Sequence, residues 1–144
     1  MRNHGITLSA RHERWIYVAL GLLYATGILW MALHYGVHAG DADSAWHFAQ
    51  SWALRIHGAA AMAALIAFGS VLSVHVPRAW KFARNQPSGT AMLACALALA
   101  LTGWLLYYAS GDATRAWSDY VHMALGALAP LALLWHLRYR RATR

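Results

Sequence analysis

The chain has 144 residues, of which 60% are hydrophobic and 12% charged. That is too much apolar surface for a small water-soluble domain, so the composition places the chain in a membrane. The formal charge of +7 would suit nucleic acid, but no basic face interleaved with base-stacking aromatics is present, and the cations cluster at the ends of apolar runs. The single cysteine, Cys95, excludes a disulfide framework, a thiolate zinc site and a C-x-x-C-H attachment for c-type haem.

Four apolar stretches predict an all-α, four-helix up-and-down membrane bundle, a single domain over 1–144 with helices over 15–35, 52–76, 90–108 and 117–137. Each is long enough to span, since a bilayer core takes about 20 mostly apolar residues and only a helix satisfies its own backbone there. The apolar run after the basic start, residues 1–14, exceeds a signal-peptide core, so the first helix is expected to be retained. The second stretch is expected to end at a turn around Pro77 and Arg78, and Pro130 predicts a kink in the fourth.

The connections separate by charge. Arg2, Arg11 and Arg14 precede the first span, Arg78, Lys81 and Arg84 lie between the second and third, and Arg138, Arg140, Arg141 and Arg144 follow the fourth. Asp41, Asp43, Asp112 and Asp119 fall on the other side, with Arg55 and Arg115 as its cations. The bias predicts that both termini are cytoplasmic. Trp15, Trp52, Trp80 and Trp117 near the span ends read as interfacial anchors in contact with membrane lipid. Small residues at Gly58, Ala59, Ala63, Ala67 and Gly126 permit close approach of a helix or a flat macrocycle. The two helix pairs share a layout, but no internal sequence repeat is evident.

Nine histidines are the most informative feature. His57 lies five residues after Trp52 and His122 five residues after Trp117, which puts them at similar depth near the outer face. His75 and His136 lie near the opposite ends of the same two helices. Eighteen residues make five whole helical turns and fourteen slightly under four, so both histidines of each helix point the same way. Two facing pairs of imidazoles are what two six-coordinate haem irons require, and ionisable side chains inside a membrane are costly and usually functional. The axial separations differ, about 27 Å on the second helix and about 21 Å on the fourth, and His12 is the alternative to His75 at the inner level. His4 and His12 otherwise belong to a basic tail. His34 and His38, one turn apart, with His47 and Asp41 nearby, would be a surface metal site only with further ligands. Arg55 and Arg115 outside, and Arg78 and Arg138 inside, are placed to meet haem propionates.

The pattern of His57, Gly58, His75, His122, Gly126 and His136 resembles the bacterial membrane cytochrome b superfamily, including cytochrome b561-like proteins and the four-helix core of respiratory cytochromes b. The stretch from Trp80 to Tyr108, with Arg84, Asn85, Ser88, Gly89, Thr102 and Gly103, is also similar to a small proteobacterial family of four-helix membrane proteins. The first resemblance implies two haem b groups with bis-histidine ligation, in a multi-pass protein of a bacterial inner membrane. It also implies electron transfer between a quinone pool or membrane reductase and a periplasmic partner, in an oxidoreductase or its electron-transfer subunit. Residues alone nominate only the neighbourhood of Arg55, His47 and Asp119 for quinone. The acidic outer loops would attract a basic carrier such as a c-type cytochrome, and the chain's small size suggests association in a homo- or hetero-oligomer. The competing expectation is a haem-free, histidine-lined metal or proton transporter. Its spans carry no carboxylate apart from Asp119 at a boundary, and no nucleophile and base form a hydrolytic arrangement.

Overall fold

The computed structural model of the chain describes residues 9–36, 44–81 and 86–142, apart from the side chains of Ser44, Val74, His75, Arg78, Ala79 and Trp80 and of 139–142. It is all-helical there: α1 is Ala10–Tyr35, α2 Ser44–Lys81, α3 Gln86–Tyr108 and α4 Asp112–Ala142. All four are long and apolar enough to cross a membrane. At 1.5 Å per residue even the shortest, α3 with 23 residues, is about 35 Å long, more than a hydrocarbon core of about 30 Å.

Local chemistry sets the ends. Ser9 caps α1, its hydroxyl accepting from the His12 backbone N–H at 3.3 Å, with Glu13 in the first turn where the helix dipole favours an acid. Gly36 closes the same helix by donating its N–H to the Ala32 carbonyl at 2.9 Å. The C-terminal ends expected at Tyr35 and Tyr108 coincide with the observed ends, whereas every helix starts earlier than its apolar stretch. Backbone hydrogen bonding does not stop at the edge of the hydrocarbon, so polar flanking turns remain helical.

One expectation is corrected. The turn at Pro77 and Arg78 is absent, and α2 continues helical through Pro77 to Lys81. A proline removes one backbone donor and crowds the carbonyl four residues back, a disturbance that bends a helix without always ending it. Pro130 likewise lies within α4. His75 and Arg78 are on helical backbone, but their side chains lie outside the described residues.

The chain divides into two units, residues 1–75 and 76–144. In the second, α3 and α4 are joined by residues 109–111 and pack on each other, the short connection enforcing an antiparallel pair. In the first, the C-terminal end of α1 and the N-terminal end of α2 are tied by the Trp46 indole N–H, which donates to the Leu33 carbonyl at 3.0 Å. Gln50 adds a second tie, its side-chain amide donating to His34 Nδ1 at 2.8 Å.

What is buried is small or hydroxylic: Ala53, Ala60, Thr26, Ser88, Thr102 and Ser118. Large apolar side chains such as Ile66, Met62, Leu101 and Leu131 point outward. This is the distribution expected where lipid is as apolar as leucine, and helices associate through close backbone approach and internal hydrogen bonds instead of by hiding hydrocarbon. Ala60→Leu should therefore cost about 1–3 kcal/mol by overpacking, whereas outward-facing Ile66→Ala should stay within about 0.5 kcal/mol. Thermal unfolding of the purified chain in detergent checks the contrast, and equal midpoints for the two variants would contradict it.

Candidate functional site

A hydroxyl buried in an apolar span must find partners, because an unpaired one costs several kcal/mol. Thr26 on α1 turns its hydroxyl back along its own helix and donates to the Leu22 carbonyl at 2.7 Å. Its one proton is thereby committed, so across the helix pair its oxygen can only accept. His57 on α2 meets it with Nδ1 at 3.1 Å, and the same nitrogen lies 3.0 Å from the Leu23 carbonyl. Both neighbours are acceptors, so Nδ1 carries the ring proton and Nε2 the lone pair.

The second unit repeats the arrangement. Thr102 on α3 donates to the Ala98 carbonyl at 2.7 Å, and His122 on α4 brings Nδ1 to 2.9 Å from the threonine oxygen. The tautomer follows as before. In each unit the threonine is followed by a glycine against the imidazole edge. A Cβ on Gly27 would stand 3.1 Å from His57 Cε1, and one on Gly103 3.3 Å from His122 Cε1. The glycine admits the ring and the threonine orients it.

A second polar level lies one half-helix away. In the second unit His136 Nδ1 and the fully buried Ser88 share a hydrogen bond of 3.0 Å. In the first unit the imidazole comes from the other helix of the pair: His12 on α1 reaches Ser70 on α2, with Nε2 and Oγ 2.8 Å apart. His12 is thus part of α1 and half-buried, not in a solvated tail. Its partner Ser70 donates to the Ala67 carbonyl at 2.6 Å, so here Nε2 is the protonated nitrogen, opposite to His57 and His122. Ala19, Ala63 and Ala67 open an apolar groove of about 280 Å³ beside His12 and Ser70.

Spacing follows the same plan. His12 precedes Thr26 by fourteen residues and Ser88 precedes Thr102 by fourteen, while His136 follows His122 by fourteen and Ser70 follows His57 by thirteen. Both units carry polar levels about 20 Å apart along the helix axis.

The other candidates are placed differently. The Arg55 guanidinium lies over the Trp52 ring, 5.3 Å from its centroid, as expected of an interfacial anchor. Arg115 and Arg138 are exposed. His34 accepts from Gln50 through Nδ1 and stacks on Trp30 at 4.6 Å, while His38 and Asp41 lie outside the described residues. No group of three histidine, cysteine, aspartate or glutamate side chains converges among the described residues. Thr26, Gly27, Ser70 and Ser88 escaped the reading of the histidines; the available signal was the dipeptide Thr-Gly at 26–27 and again at 102–103.

A neutral imidazole with Nδ1–H bonded to an oxygen and its lone pair on Nε2 is the usual state of a metal-ligating histidine, and His57 and His122, each within its own unit, are both held in it. No protein-family model matches the chain, and neither a curated protein nor a solved structure matches it.

The glycines give a direct check of ring placement. Gly27→Ala should melt below Gly21→Ala, whose Cβ meets nothing within 4 Å, by about 1–3 kcal/mol for the forced ring shift. Equal midpoints in detergent would mean that His57 does not pack on Gly27.

Proposed function

We propose that the chain is a b-type membrane cytochrome in which His57 and His122 ligate one haem iron and His136, with His12 or His75, a second. The observation that carries this reading is the repeated Thr-Gly-His arrangement, which prepares one imidazole in each unit in the tautomer that leaves Nε2 as the coordinating nitrogen. A bare structural histidine has no need of the same tautomer, the same glycine contact and the same position relative to a tryptophan twice in one chain.

Bound haem would supply one-electron exchange between ferric and ferrous iron, at two depths if both are present. The chain's own residues hold each imidazole, line the spans with apolar surface and set cations at the interfaces. Arg55 and Arg115 on one side, and Arg78 and Arg138 on the other, are available to propionates. At the inner level His12 would ligate through Nε2 only after leaving Ser70, which distinguishes it from His57 and His122.

In this reading both termini are cytoplasmic, because ten of the twelve cations flank the spans on one side, and the protein belongs to a bacterial inner membrane. Electrons pass between a quinone pool or membrane reductase and a periplasmic partner, with the acidic residues of the outer connections favouring a basic carrier such as a c-type cytochrome.

Substitution tests the ligand assignment. His57→Ala and His122→Ala should each remove the same haem from the reduced-minus-oxidised spectrum, and His34→Ala, whose ring Gln50 and Trp30 engage, should keep the full complement. Retention of every haem in His57→Ala or His122→Ala would refute the outer pair.

A further inference from the structure

Thr26 and Thr102 are buried polar residues that occupy the same place in the two helix pairs. Each is buried, at 7% and 9% exposure, each commits its proton to a carbonyl four residues back, and each turns an oxygen lone pair on the Nδ1–H of a histidine of the neighbouring helix. A valine would fill either place without a buried hydroxyl but would leave the facing Nδ1–H with one acceptor fewer, so it is the imidazole that the hydroxyl serves.

We propose that Thr26 and Thr102 are positioning residues that fix the tautomer of His57 and His122 and tune the redox potential of the metal these histidines bind. An acceptor on Nδ1–H draws the proton away from the ring and makes Nε2 a stronger donor. A stronger donor favours ferric over ferrous iron and lowers the potential. His57 shares its Nδ1–H between Thr26 and the Leu23 carbonyl, so Thr26→Val leaves that ring one acceptor. Gly27 and Gly103 complete the device by allowing the ring edge within reach of the threonine.

The redox part of this inference rests on the haem reading, whereas the tautomer part stands without it, and the experiment separates the two. In full-length chain purified in detergent with haem, Thr102→Val should raise the midpoint potential of the haem that His122→Ala removes. It should leave any second haem unchanged, and Thr102→Ser should restore the wild-type value. Thr26→Val should shift the same haem in the same direction. Loss of that haem in Thr102→Val, recovered in Thr102→Ser, would also support the role of the hydroxyl. An unchanged potential in Thr102→Val with haem retained would overturn the tuning. If wild-type chain purifies without haem, the function proposed above fails. The histidine ¹⁵N spectrum of the same sample then decides the tautomer: two rings protonated at Nδ1, one lost in Thr102→Val, support the positioning role, and protonation at Nε2 in both overturns it.

Discussion

A hydrogen bond between a buried threonine oxygen and a histidine Nδ1–H, made between helices apolar enough to cross a membrane, is the interaction on which the two helix pairs depend. In hydrocarbon every polar side chain must be answered from within the protein. The threonine answers its own proton with a carbonyl of its helix and the histidine of its neighbour with a lone pair, so one hydroxyl satisfies two needs. The helices must approach closely for this to happen, which is why glycine follows each threonine and why the buried positions are alanine, serine and threonine, with leucine and isoleucine turned outward.

The helices were legible because a bilayer imposes a length and a composition at once, and the stops at Tyr35 and Tyr108 fell where the apolar runs end. Their starts were less so, since polar turns such as Asp112–Trp117 and Ser44–Ser51 stay helical beyond the apolar run. Pro77 misled because a proline inside a helix removes one backbone donor and strains one turn without always ending the helix, and α2 runs on past it to Lys81.

His57, His122 and His136 stood out by chemistry and spacing, but the hydroxyls that orient them did not. A single threonine or serine in a span is commonplace, and apart from the Thr-Gly dipeptide at 26–27 and 102–103 only three-dimensional pairing distinguishes Thr26, Thr102, Ser70 and Ser88 from the rest. The second polar level of each unit was further disguised because its imidazole stands on opposite members of the helix pair, His12 on α1 and His136 on α4, so a comparison of helix two with helix four alone could not align them. Counted from the threonines, the fourteen-residue interval recurs in both units.

A redox protein needs its metal ligands held before the metal arrives, and oriented so that the coordinating nitrogen is the one without the proton. His57 and His122 each have their Nδ1 engaged by neighbours of their own helix pair, the condition that the proposed ligand role requires. The most direct measurement is the haem content of the detergent-purified wild-type chain, by pyridine haemochrome after haem-replete expression. A b-type spectrum with two haems per chain is predicted, and a colourless chain would contradict the account.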